Sequence, residues 1–232
     1  MSMPFYVSPE QLMQDKAEYA RKGIARGKSI VTLEFEGGIL LMAENPSKSL
    51  SKIGEIYDRV AFAGVGKFSE FDQLRKVGVR YADTRGYAYS RDDVRAKALA
   101  NAYSQVIGEV FTREMKPLEV EIVVAEVGDP RFAGHEEDAI YRVRFDGSIS
   151  DEQRFCVIGG TAEQLDSHLQ SSYREGMDLA SAVRVGRDVL GRAENGDPNL
   201  GAPNLEVCLL ERAQEGRKFR RIGQSELSGL LG

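Results

Sequence analysis

Residues able to do chemistry are sparse in this chain, and most of them explain themselves without it. Gly64-Val65-Gly66-Lys67-Phe68-Ser69 has the outline of a phosphate-binding loop. That motif needs a glycine at position 61 and a Ser or Thr directly after Lys67, and those positions hold Ala61 and Phe68. Without the metal-binding hydroxyl the segment reads as a strand-to-helix turn in which glycine permits unusual backbone angles. His135-Glu136-Glu137-Asp138 offers metal ligands, but the only other histidine, His168, falls on a later helical stretch, so the cluster reads as a solvated acidic loop. Two histidines and two cysteines in bland contexts supply no nucleophile, base and orienting acid, and there is no Gly-x-Ser-x-Gly elbow. Cys156 and Cys208 sit in apolar, strand-like runs and read as buried small hydrophobes in a reducing compartment. Tyr81, Tyr87, Tyr89 and Tyr103, at scattered spacing, read as core and interface residues. Lys52 heads a strand-like run and, on its surroundings alone, reads as a surface lysine. No metal or cofactor is expected.

The elements that hold these residues follow from periodicity. Ser8-Pro9-Glu10-Gln11 is a helix start, with Ser8 as cap, Pro9 in the first turn and Gln11 in the capping-box position. Met13, Ala17, Ala20 and Ile24 form its apolar face, and Gly23 is expected to stop it. The residues from Ser29 to Glu36 alternate, Gly37-Gly38 is a hairpin turn, and Ile39 to Ala43 return. A second hairpin runs from Ile53 to Ile56 and Val60 to Val65 around Tyr57-Asp58-Arg59. Phe68, Phe71, Leu74 and Val77 keep helical spacing. Ser90-Arg91-Asp92-Asp93 is expected to open a long helix with Val94, Ala98, Ala102, Val106 and Val110 on its apolar face, ending before Pro117.

Strands follow at Val120 to Val127, Tyr141 to Phe145 and Phe155 to Ile158. Two helices come next, capped by Thr161 and Asp178 and carrying Leu165, Leu169 and Tyr173, then Leu179, Val183 and Leu190. Residues 191–204 read as a loop. Leu205 to Leu210 and Phe219 to Ile222 are the last strands, and a short helix from about Ser225 closes the chain. Runs of strands and runs of helices, without strict alternation, favour α+β over a doubly wound parallel sheet.

The bulk numbers exclude several classes. A net charge of −5 with both signs mixed argues against a nucleic-acid surface. No apolar run approaches membrane-spanning length, and no secretion signal precedes the first helix. A hydrophobic fraction of 42% over 232 residues predicts an ordinary packed core, which points to a cytoplasmic globular protein. No stretch before residue 191 has linker composition. Residues 9–232 therefore read as a single domain behind a short segment, 1–8.

Taken in order, Ala20-Arg21-Lys22-Gly23-Ile24-Ala25-Arg26-Gly27, Ala43-Glu44-Asn45-Pro46-Ser47, Ile56-Tyr57-Asp58-Arg59-Val60, Ala82-Asp83-Thr84-Arg85-Gly86-Tyr87, Val124-Ala125-Glu126-Val127, Asp146-Gly147-Ser148-Ile149 and Phe219-Arg220-Arg221-Ile222 resemble the α subunits of actinobacterial proteasomes. The resemblance runs from Pro9 to about Ile222. It implies a four-layer αββα sandwich of two antiparallel sheets, the N-terminal-nucleophile hydrolase-like fold. It also implies a seven-membered α ring stacked on a ring of β subunits.

Proteolytic β-type relatives use a threonine freed at the head of the first strand. Counted back from the Gly37-Gly38 turn, that place falls at about Lys28, with 27 residues in front of it. Glu44 falls where the acidic partner stands, one methylene longer than the usual Asp, and Lys52 where the catalytic lysine stands. Neither can replace an absent nucleophile.

The resemblance implies instead a non-catalytic ring subunit that gates substrate entry and docks the C-terminal tails of a ring-shaped AAA ATPase or an ATP-independent activator. Residues 1–8 would form the gate, with Phe5 and Tyr6 as bulky plugs, Ser8 at its end and Pro9 fixing the turn. The Tyr-Asp-Arg motif that closes other gates of this family is absent before Pro9, and Tyr57-Asp58-Arg59 is not that motif. The tail's carboxylate would meet Lys52, assisted by the backbone at Gly66 and Lys67, with Glu18 as a nearby acidic contact. Pupylated proteins are the substrates the resemblance suggests. The alternatives are an active N-terminal-nucleophile hydrolase formed by processing, told apart by the mature N-terminus, and a free-standing small-molecule binding domain that stays monomeric with any β partner.

Overall fold

The computed structural model describes residues 8–47, 49–131, 136–193, 197 and 200–232. Helix α1 (Pro9–Ala25) leads into two hairpins, β1 (Ile30–Phe35) with β2 (Gly38–Glu44), and β3 (Ile53–Tyr57) with β4 (Val60–Gly66). Helices α2 (Phe68–Ala88) and α3 (Ala96–Arg113) follow. Then come β5 (Val120–Glu126), β6 (Ala139–Val143), β7 (Ile149–Glu152) and β8 (Phe155–Ile158), helices α4 (Ala162–Ser172) and α5 (Leu179–Leu190), strands β9 (Leu205–Glu211) and β10 (Phe219–Arg221), and helix α6 (Gln224–Leu231).

The strands form two five-stranded antiparallel sheets, β10-β9-β2-β1-β8 and β3-β4-β5-β6-β7. Their alternation sorts the core into three layers. Ile30, Ile39 and Leu41 face Ala61, Ala63 and Val123 between the sheets. Val31, Leu33, Leu40 and Met42 face outward against α4, α5 and α6. Phe62, Ile122 and Val124 face outward on the other sheet, against α2 and α3. The central strands are covered on both faces, which is why they read as near-continuous apolar runs. The result is the expected αββα sandwich.

Helix α1 closes one end of the sandwich, its Ala20 and Ile24 entering the layer between the sheets. The Ser8 hydroxyl accepts from the Gln11 amide at 3.2 Å, whereas the Gln11 side chain donates to Asp15 rather than closing the box. The helix runs through Gly23, because that glycine is a point of close approach: a Cβ there would overlap the Glu119 side chain. The turn ends where the Gly27 N–H donates to Ile24 O.

Other expectations shift by identifiable causes. The first hairpin turns on Glu36-Gly37, and Gly38 already belongs to β2. Ser90 caps only a 3-10 turn, Arg91–Asp93, and α3 starts at Ala96, whose amide donates to the buried Glu126 carboxylate of β5 at 2.7 Å. The core face of α3 is Ala96, Leu99, Ala100, Tyr103 and Ile107. Ala102, Val106 and Val110 line an apolar groove of about 480 Å³ against α2 instead. Strand β7, mostly polar, is an edge strand that hydrophobic alternation does not mark. The Thr161 hydroxyl pairs with that of Ser29 rather than capping α4, while Asp178 does cap α5. Tyr103 is buried, but Tyr87 and Tyr89, at 94% and 76% exposure, stand in solvent at the end of α2.

Candidate functional site

The hairpin β1–β2, the head of β3 and the end of β4 converge where α1 gives way to the sheet. Lys28, just before β1, pairs through Nζ with Glu44 at the end of β2, 2.9 Å apart. The Lys52 ammonium, just before β3, donates to the backbone carbonyl of Lys28 at 2.8 Å. Lys28, Glu44 and Lys52, which the family resemblance matches to the catalytic positions, are therefore neighbours. Residue 28 carries an ammonium and its nitrogen is an amide inside the chain, so neither a hydroxyl nucleophile nor a free α-amine stands there.

Burial pushes the Lys52 pKa down to about 8 from the ordinary lysine value, against Glu44 and Glu206, which favour the charged form, and with Lys28, which disfavours it. At pH 7 such a group is still charged by about ten to one. A half-buried cation of this kind has the chemistry to accept an anionic group.

Gly66 lies on the same edge. Gly64 N–H donates to Lys52 O at 3.0 Å, and two residues on along the strand the Gly66 N–H points to the same side. A Cβ at Gly27 would stand 3.0 Å from the Gly66 nitrogen. Gly66 has φ of 106°, and a side chain there would run into Glu119 O, so glycine is required. The neighbouring amide behaves differently: Lys67 N–H donates to Glu119 O at 2.9 Å. The Lys67 ammonium meets Glu70 at 3.3 Å, and Lys116 bridges Glu70 and Glu119 at 2.8 and 3.1 Å. Glu18 stands apart on the exposed side of α1, its carboxylate 2.7 Å from Lys22, which holds it below its usual pKa. Lys52 and Gly66 are thus linked through the β3–β4 pairing, while Glu18 is paired with Lys22 on the exposed side of α1. Ser8 and Pro9 form the start of α1; Phe5 and Tyr6 lie outside the described residues.

Sequence reasoning missed Glu206 in β9. Its carboxylate accepts from the Lys52 amide at 2.9 Å, the Ile53 amide at 3.2 Å and Asn45 Nδ2 at 2.6 Å, and it pairs with Arg221. The available signal was an acid interrupting the apolar run Leu205 to Leu210 at a buried position. The other motifs carry no site. Gly64 to Lys67 is the expected strand-to-helix turn. Asp138 is held by Gly128 N–H and Arg212, and His135 lies outside the described residues. Among the described residues no group of three His, Cys, Asp or Glu could hold a metal, and no helix is long and apolar enough to cross a membrane.

Residues 24–210 match the family described as proteasome subunit. The whole chain is 55% identical to a protein named proteasome subunit alpha from Sanguibacter keddieii, covering 90% of that relative. It is 55% identical to one of the same name from Thermobifida fusca and 53% identical to one from Frankia casuarinae, covering 91% and 98% of them.

Proposed function

The chain belongs to the proteasome subunit family, on its actinobacterial α side, and from that premise we propose that it is a non-catalytic subunit of the heptameric end rings of a proteasome core particle. Each ring stacks on β subunits, which supply the threonine-type peptidase. Residues 1–8 gate the axial entry, with Phe5 and Tyr6 as the occluding side chains and Ser8-Pro9 fixing where the segment meets the ring. The C-terminal tail of a ring-shaped AAA ATPase, or of an ATP-independent activator, docks with its carboxylate on Lys52. The backbone at Gly66 and Lys67 assists, and Glu18 is a nearby acidic contact. Its substrates are pupylated proteins and its compartment is the cytoplasm, a setting that free, buried Cys156 and Cys208 suit.

The observation that carries the reading is residue 28. The surroundings of an N-terminal nucleophile are present at Lys28, Glu44 and Lys52, but the nucleophile is replaced by a lysine behind an ordered helix that a processing cut would remove. The test is the mature N-terminus of the chain purified in complex with its β partner. The expected result is an intact mass near 25.7 kDa. A chain shortened by about 28 residues, with a new amino terminus and peptidase activity of its own, would replace this reading with the hydrolase one.

A further inference from the structure

Strand β3 is the edge of its sheet, and among the described residues no strand pairs with its outer side. The amides of Lys52 and Ile53 there are both taken by one carboxylate, that of Glu206. The same carboxylate takes Asn45 Nδ2, and that amide group also donates to Leu50 O at 2.7 Å, closing the loop between β2 and β3. Arg221 pairs with Glu206 and reaches Ile53 O at 2.8 Å. Glu206 is therefore the hub that ties the segment carrying Lys52 to β9 and β10 of the other sheet.

Resting on the reading of Lys52 as the receptor for an activator's carboxylate, we propose that Glu206 is a positioning residue for that capture: it fixes the backbone from which Lys52 projects, and it places a buried negative charge beside that segment. The charged groups around Lys52 come from each neighbouring element. They are Lys28 ahead of β1, Glu44 at the end of β2, and Glu206 of β9 with Arg221 of β10 upon it. Burial, and to a smaller extent Lys28, lowers the lysine pKa to about 8, against Glu44 and Glu206, which favour the charged form. Carboxylate capture needs the charged form, so it is complete below that pH and is lost as pH rises through it. Removing the Glu206 charge moves the loss to lower pH.

The experiment uses the full α–β particle and the fluorescein-labelled C-terminal octapeptide of its ring ATPase, with the same peptide amidated at its terminus as control. Binding is measured by anisotropy from pH 6.5 to 9.5. In the unaltered particle affinity is flat at low pH and falls above about 8. In Glu206→Gln, which can still accept hydrogen bonds, the fall begins lower by about half a pH unit or more. Glu206→Asp keeps the charge but shortens the reach; its fall stays at the original pH while its low-pH affinity drops about three-fold or more.

An unshifted profile in Glu206→Gln, with peptide binding still dependent on Lys52, overturns this inference and leaves the docking reading standing. Unchanged peptide binding in Lys52→Ala overturns the docking reading itself. Should the glutamine variant fail to assemble, the aspartate variant decides, and an affinity equal to that of the unaltered particle counts against positioning.

Discussion

Lys52 is stable where it is because its charge is compensated in three ways: a backbone carbonyl at 2.8 Å, and the fields of Glu44 and Glu206. A carboxylate delivered to such a partly dry ammonium forms a charge-assisted hydrogen bond of about 1.5–3 kcal/mol. Lys52→Ala is therefore expected to assemble normally but to bind a tail peptide roughly ten- to a hundred-fold more weakly. Activator-stimulated degradation should fall to the unstimulated rate; full stimulation in that variant would remove Lys52 from the site. The two thiols make the opposite case, groups with no chemistry to do. Burial pushes Cys208 up to about 12, and Cys156 is pushed up likewise. Neither should react with a thiol-specific reagent at pH 8 until denaturant is added, whereas rapid labelling of the native protein would contradict the packing. The cysteines were legible because an apolar run surrounds them in the sequence. Lys52 was legible only through the family resemblance, because its surroundings, Lys28, Glu44 and Glu206, are brought in from three other parts of the chain.

The two hairpins show how much local pattern can specify. Strict alternation and a glycine turn located β1 and β2 to within a residue or two. The start of α3 was misplaced because the group that receives its first amide is Glu126, thirty residues further on and on a different element. Its buried face was misjudged because the helix carries two apolar stripes, and the one with Leu99, Tyr103 and Ile107 has the larger side chains to bury. A second long-range tie fixes the approach to β10. Lys218, 1% exposed, donates to Arg212 O at 2.6 Å and meets Asp129 at 3.2 Å. Asp129→Ala leaves that ammonium buried without its charge partner, so a loss of about 3–5 kcal/mol is expected in chemical denaturation. Adding Lys218→Met, which keeps the apolar stem, should recover most of it. If the double variant is no more stable than the single one, the cost lies elsewhere in the loop. Arg131 first and Lys218 after it hold the Asp129 carboxyl well below its usual range. This contribution is accordingly in place above about pH 4 and is lost only as strong acid protonates the folded-state carboxylate.

At the scale of the whole molecule, the sandwich keeps the scaffold of a peptidase and changes what is attached to it. Helix α1 plugs the end of the sandwich where a processed enzyme would expose its first residue, and Ala20 and Ile24 anchor it in the core. Removing residues 1–27 would strip that anchor away, which argues that this terminus is kept. If the proposed gating role holds, its most direct consequence is at the entrance of the particle. Peptidase activity of the chain reconstituted with its β partner should be low at full length and rise several-fold when residues 1–8 are deleted, toward the rate the β ring shows with free access. Equal rates for the two particles would contradict the gating role and leave the α chain as a scaffold alone.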